Sequence, residues 1–508
     1  MTIDRNRMCA AAFLAGLVAE PALADAVDER LRAMESRLQA MEQRLQQTEA
    51  ENQRLRQALN GGEAGAKPPP TPEPGAQLKT LNSKVAALES KLEQERKLQQ
   101  EAAKAAPKVE MGAAGLTVKS ADDNYRLNLR GYAQADGTVY MDDSRGDKVA
   151  DNFSIRRARL TLDGSLFQSV DVRFSPDFAQ GNVRLFDAFV DLHYFPWASL
   201  MAGKMRPPVN GLERQQGAPN LALAERGLTQ NLTPARDIGV MLHGELPYPG
   251  YQAQYSMPPV FREFFGYQLG VFNGARDGAN LDSEKDDNKE FAGRLFSHPF
   301  LHSGIGPLQG LGIGIAGSWG QPRKNALNGL KTTGQQTFLN YKDGVTASGN
   351  AYRVTPGAYW YYGPFGALTE YVISSQDLVA GVRSVRQDNR GWQVAASWVM
   401  TGEDNSFQAI RPARIFDPAA GTWGALQLAA RWSELEVDAD SFRYGGVFAD
   451  PAKSARKATE WALGLNWYPN THIKLMADYA QTYFQGGAAK GKDREPEKVF
   501  QTRFQYQF

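Results

Sequence analysis

The chain of 508 residues has one cysteine, Cys9, and five scattered histidines. Without clustered Cys or His ligands there is no zinc or haem pattern, and a single cysteine excludes a disulfide framework within the chain. No metal and no other cofactor is expected. A mean hydropathy of -0.46 excludes a bundle of membrane helices. The apolar run from Met8 to Val18 is too short to span a bilayer as a helix. An excess of one charge is also lacking, because 57 Lys+Arg face 56 Asp+Glu for a formal net charge of +1. No nucleotide-binding loop or basic patch points to nucleic acid. His193 and His243 sit in no catalytic motif, so no catalytic residues and no enzyme are expected.

What the chain does have is glycine, 49 residues, and aromatics, with 25 Phe, 19 Tyr and 9 Trp. Transmembrane β-barrels use glycine where strands curve and aromatics at both membrane interfaces. At the start, Arg5 and Arg7 precede the apolar run, and Ala22-Leu23-Ala24 follows it. That order reads as a signal peptide over 1–24. Over 25–60 the apolar residues alternate spacings of three and four. Leu31, Leu38, Leu45, Asn52 and Leu59 occupy heptad position a, with Val27, Met34, Met41, Thr48 and Leu55 at d. This predicts a coiled coil whose Asn52 fixes the register, although its core does not decide between dimer and trimer. A Gly/Pro-rich linker follows over 61–77, then a second helical heptad segment over 78–106 with Leu78, Leu81, Val85, Leu88 and Leu92.

From 115 to 508 the period becomes two. In RLNLRGYAQA, Leu127, Leu129, Gly131 and Ala133 share a face opposite Arg126, Asn128, Arg130, Tyr132 and Gln134. ARLTLDG and SVDVRFS repeat the scheme. Such alternation fits a lipid-facing wall around a watery lumen, or a soluble sandwich with the faces exchanged. Sixteen strands are expected, an even number as barrels require. The first eight lie near 126–135, 153–163, 169–175, 184–194, 198–205, 236–244, 265–273 and 290–297. The rest lie near 311–319, 350–361, 367–374, 391–400, 424–435, 461–468, 472–480 and 499–508, with loops at 206–235, 273–289, 320–349 and 401–423. The expected fold is thus all-β, a transmembrane antiparallel β-barrel of about 16 strands preceded by an α-helical coiled-coil arm. The last strand, with Phe500, Phe504, Tyr506 and Phe508 on one face, resembles the signal by which outer-membrane barrels engage their assembly machinery.

Several strings now carry a specific likeness: SIRRARLTLDG, DAFVDLHYFPW, AGKMRPPVNGLERQQ, LTPARDIGVMLHGEL, YYGPFGALTEYV and LGLNWYPNTHIKL. With others they span most of 120–508 and resemble the phosphate-selective porin O and P family. The resemblance implies an outer-membrane homotrimer of sixteen-stranded barrels that passes phosphate or related anions passively, with a helical arm in the periplasm.

An anion path needs cationic side chains along it. Period-two parity puts Arg126, Arg130, Arg157, Arg159, Arg173, Arg294 and Arg431 on lumen faces, and Lys204 is placed similarly. Arg206 and Arg214 fall in the next long segment, where porins of this size often fold a loop inward. These are the candidate pore-lining and anion-binding residues. Asp163, Asp171, Asp187 and Asp191 share the lumen parity and would neutralise part of the set. A general or weakly selective porin, its arm serving as an envelope spacer or a tether to peptidoglycan, is the alternative.

Overall fold

The computed structural model describes residue 50 and residues 74–112, 115–141, 149–195, 197–246, 264–283 and 286–508. The expected signal segment 1–24, and the first heptad run 25–60 apart from residue 50, lie outside the described residues, as does most of the linker 61–77. The chain divides into two units, Met1–Lys97 and Leu98–Phe508. A helix, α1 (Pro74–Ala105), covers the second heptad run, and along it Val85, Leu88 and Leu92 are exposed. No described helix is long and apolar enough to cross a membrane.

The second unit contains a closed barrel. A short hairpin, Lys108–Gly112 with Gly115–Lys119, pairs onto its first strand. The barrel strands are β1 (Tyr125–Met141), β2 (Asn152–Leu166), β3 (Val170–Asp177), β4 (Arg184–Phe195), β5 (Ala198–Met205), β6 (Asp237–Leu246), β7 (Phe265–Phe272) and β8 (Glu290–Ser297). They continue as β9 (Leu311–Gly320), β10 (Thr346–Tyr362), β11 (Phe365–Ala380), β12 (Arg383–Val399), β13 (Ala425–Glu436), β14 (Ala455–Tyr468), β15 (Ile473–Gly486) and β16 (Glu497–Gln507). Each pairs antiparallel with its neighbours in sequence, and β16 closes on β1 from Lys498↔Met141 to Gln507↔Tyr132. Reciprocal backbone bonds of 3.0 Å between Gly131 and Phe508 seal that seam. Every strand therefore has two partners, which removes sheet edges.

Side-chain exposure decides between barrel and sandwich. Leu127, Leu160, Leu162, Phe174, Leu269 and Leu463 point outward and are exposed, whereas Asn128, Gln134, Thr161 and Gln501 point inward and are buried. The apolar face is thus the outer one.

All sixteen expected strands exist, and several run longer than the alternation predicts. The strands expected at 126–135, 367–374 and 391–400 run over Tyr125–Met141, Phe365–Ala380 and Arg383–Val399. The missed portion of β12, RSVRQDNR, carries polar groups on both faces. A wall that rises beyond an apolar solvent has no apolar face to alternate. By contrast β3, β5, β7 and β8 have only 8 residues each, so the rim is uneven.

Antiparallel neighbours place successive connections at opposite ends. Segments 206–236, 273–289 and 321–345 emerge at one end, here the loop end. The start of β1 and the finish of β16 mark the other, with the tight Gly363-Pro364 turn and the long segment 400–424. At β5, Gly203 takes a left-handed φ of +127°, and a Cβ there would meet the Ala188 carbonyl and Phe189 Cα. Replacing Gly203 with Val should cut the yield of heat-modifiable barrel several-fold on gels. An undiminished yield would show that the β4–β5 approach is not constrained as described.

Candidate permeation site

Strict polar-inside alternation fails at a few lumen positions, and these are where the segment 206–236 sits. Val209 packs against Phe189, Met201, Met241 and Phe272. Leu212 meets Phe296, Tyr359 and Leu368, while Leu223 meets Ala429, Ala462 and Ala480. Leu228 and Leu232 pack with Val372, Leu435 and Phe484. Burying each such side chain contributes about 1.5–3 kcal/mol. The segment has only three short helical turns, so much of its buried backbone needs outside partners. The wall supplies them: Thr355 Oγ1 donates to Val209 O at 2.7 Å, Asn466 Nδ2 to Ala222 O at 2.7 Å, and Gln505 Nε2 to Pro219 O at 3.2 Å. Lys474 donates to Leu221 O, and Asp478 accepts from Ala224 N.

Two further segments press on this loop from opposite ends. From the loop end, Leu330, Phe338 and Leu339 join the Leu228 cluster. From the terminal end, Phe407 joins the Leu212 cluster, and its carbonyl accepts from Gln216 Nε2 at 2.9 Å.

Glu225 fixes the loop. Its Oε1 lies 2.9 Å from Arg156 Nε and 2.7 Å from Arg503 Nη2, and its Oε2 lies 3.2 Å from Arg157 Nη2. Arg503 also pairs with Asp136 at 2.6 Å. Burial alone would raise the Glu225 carboxyl, but the three arginines together hold it well below the usual carboxylate range. Arg156 reaches the lumen because the β1–β2 register shifts beside it, from Gln134↔Arg157 to Ala135↔Ile155. This bulge turns two consecutive arginines inward. A second clamp joins Glu213 to Arg431 at 3.1 Å, and Gln393 Nε2 bridges Glu213 and Glu370 at 2.9 and 3.0 Å.

Between the loop and the β2–β4 wall lies a cavity of ≈ 160 Å³. Arg156, Arg157, Arg159 and Arg184 line it from the wall side, and Arg206, Arg214, Arg226 and Arg236 from the loop, with Asp177 the one acidic lining residue. Arg206 and Arg214 each donate to a loop carbonyl, Gln215 O and Gln230 O, which holds them in place without neutralising them. Burial, and then crowding by other arginines, pushes both guanidiniums below their ordinary range. An anion entering the cavity would relieve that crowding. The Nε atoms of Arg159, Arg206 and Arg214 are buried with no protein acceptor.

The structure brings Arg157, Arg159 and Arg206 of the candidate set to this cavity, with Arg214 beside them. Arg130 and Arg173 share Asp163, at 2.9 and 2.5 Å, nearer the terminal end. Arg126 lies on the lumen face opposite Ser165. Lys204 pairs with Asp282. Arg294 and Arg431 face inward as parity requires, but they hold the loop: Arg294 donates to Pro208 O at 3.0 Å and to Asn210 O, and Arg431 to Glu225 O at 2.9 Å. Sequence reasoning did not select Arg156, Arg184, Arg226 or Arg236, nor Glu225 and Arg503 as the clamp. Only Arg503 had a usable signal, its inward parity in the last strand. The others depend on bulges and on an irregular loop, where periodicity is silent.

A Glu225→Gln exchange would leave three buried guanidiniums without their shared anion, a loss of about 3–5 kcal/mol for a broken buried pair. It should release the loop at neutral pH, seen as open-channel current noise absent from the wild type. A carboxyl with a depressed folded value gives stability that is lost only as pH falls through that value. The wild-type current should therefore stay quiet as pH falls past about 4.3, the ordinary Glu value. A quiet Glu225→Gln channel would remove the clamp from this account.

The chain is similar to several known proteins. A family model described as phosphate-selective porin O and P matches residues 127–508. Porin O of Pseudomonas aeruginosa is 24% identical over 422 residues, covering 78% of this chain and 91% of that protein. The outer membrane channel DcaP of Acinetobacter baumannii aligns at 12% identity with a TM-score of 0.48, over 77% of this chain and 99% of its own. An anion-selective porin from Comamonas acidovorans aligns at 13% identity with a TM-score of 0.44, over 76% of this chain and 100% of its own. With the family model matched across the whole barrel, the chain belongs to the phosphate-selective porin O and P family, diffusion channels of the outer membrane.

Proposed function

We propose that the barrel lets small anions such as phosphate diffuse across the outer membrane through the arginine-lined cavity. The cavity's composition carries this reading: eight arginines and one aspartate line it. Screening acts over about 8 Å at physiological salt, so charges this close add their fields in a confined path. Guanidinium groups also offer paired donors that match an oxyanion. Arg206 and Arg214 are held by carbonyl oxygens and not by carboxylates, so their charge remains to attract an anion. The weakly selective alternative draws on Asp163, which neutralises part of the Arg130–Arg173 set.

Self-association as a homotrimer has its own support. Outward tryptophans and tyrosines near the loop end run from Trp319 on β9 to Tyr483 on β15. Among the described residues, the corresponding outward positions on β1 to β7 hold neither. These aromatics mark lipid–water interfaces. Strands of 8 residues also fall short of the roughly 9–11 that span a bilayer. That aromatic-poor sector, with its three short strands, suits burial against a second copy, while lipid meets the remainder. In this reading the signal peptide exports the chain, and β16 with Phe508 presents it to the assembly machinery. The exposed Val85, Leu88 and Leu92 row suits a coiled-coil arm, which can extend through the periplasm towards peptidoglycan.

Bilayer reversal potentials in asymmetric chloride, then in phosphate, test the reading. The wild type should prefer anions. The Arg206→Ala/Arg214→Ala variant should lower the anion-to-cation ratio several-fold, most clearly at low salt. A wild type without anion preference would leave the general diffusion porin as the better description.

A further inference from the structure

The register between β3 and β4 shifts at one point, from Ser175↔Asp187 to Pro176↔Leu185. Pro176 has no backbone N–H to give the ladder, so a slip there is physically expected. The extra residue on β4 is Phe186, and the slip lets successive side chains, Phe186 and Asp187, both serve the lumen. The Phe186 ring lies in the cavity wall with the Arg159 guanidinium carbon 3.6 Å from its centroid and that of Arg236 at 5.4 Å. Asp187 meanwhile takes Arg236 Nε at 2.6 Å.

Arg159 has an acidic neighbour that could neutralise it fully. Asp177 Oδ2 accepts from Arg159 Nη2 at 2.9 Å, but Asp177 Oδ1 is occupied by the backbone N–H groups of Ala158 and Ala179, both at 3.1 Å. The aspartate is therefore tied down and offers Arg159 one oxygen. The ring lies against the guanidinium, whose Nε is buried without a protein acceptor, and Arg159 as a whole lines the cavity. A guanidinium in this setting is held by one edge and one face and keeps donors for a third party.

We propose that Phe186 is a specificity-determining positioning residue, which holds Arg159 by cation–π contact so that its remaining donors serve the anion path instead of closing on Asp177 with a second hydrogen bond. The inference rests on the anion-channel reading above and refines it. Phe186 need not touch the anion itself; it acts through Arg159 and, more weakly, through Arg236.

The test uses the full-length chain in planar bilayers, with chloride and inorganic phosphate as probes. Heat-modifiable migration first confirms that each variant has assembled. Phe186→Leu keeps bulk without the aromatic ring and should lower the phosphate-to-chloride permeability ratio by about threefold to tenfold, the range a partly desolvated cation–π contact supports. Phe186→Tyr should retain the wild-type ratio. In an Arg159→Ala background, Phe186→Leu should lose most of its effect. A wild-type ratio in assembled Phe186→Leu would overturn the proposal, and so would an effect of the same size without Arg159. A wild type with no anion preference would defeat the channel reading itself, before any variant is compared.

Discussion

Arg156, Arg157 and Arg503 converge on Glu225, and the interior of the barrel is arranged around that contact. The first two come from β2 and the third from β16, strands that flank β1 at the closure. Three buried guanidiniums cost much to desolvate, and a single carboxylate does not offset that alone. Asp136 takes part of Arg503, Gln134 accepts from Arg157 at 2.7 Å, and the Ala224 carbonyl accepts from Arg503. The charges are thus satisfied as a group. Removing one member exposes the rest.

The clamp and the apolar anchors have different effects. Val209, Leu212, Leu223, Leu228 and Leu232 stabilise the loop against the wall by burial, which is not directional. The ion pairs and the backbone acceptors fix which way it faces. Together they leave Arg206, Arg214 and Arg226 towards β2–β4 and turn the acidic Glu213 towards β12 and β13. A chain with a net charge of only +1 thereby gathers eight arginines around one cavity. Overall charge is a poor guide to what a permeating ion meets. The local ordering decides it.

Much of the wall was legible in the sequence. Alternation located all sixteen strands, and the segment after GKMRPP was expected to fold inward. The mid-membrane parts were the clearest, because lipid outside and polar groups inside impose opposite demands on successive residues. Legibility failed where that contrast disappears. Arg383–Gly391 rises past the apolar band, and Met201, Met241 and Phe272 are apolar yet inward because the loop covers them. Parity also cannot anticipate a bulge, so Arg156 and Phe186 were not among the candidates. Arg294 and Arg431 were assigned the right face, but the loop that engages them has no periodicity from which contacts could be read. The pairing of Glu225 with Arg503 spans most of the barrel sequence, and only the folded chain brings the two together.

The most direct test of the account is to locate a permeant anion in the folded channel. Anomalous diffraction from crystals soaked in bromide would show where a monovalent anion collects. The account predicts that the strongest lumen peak lies between the loop and β2–β4, within hydrogen-bond reach of Arg206, Arg214 or Arg159. A strongest lumen peak beside Arg130 and Arg173, or none in the cavity, would contradict it.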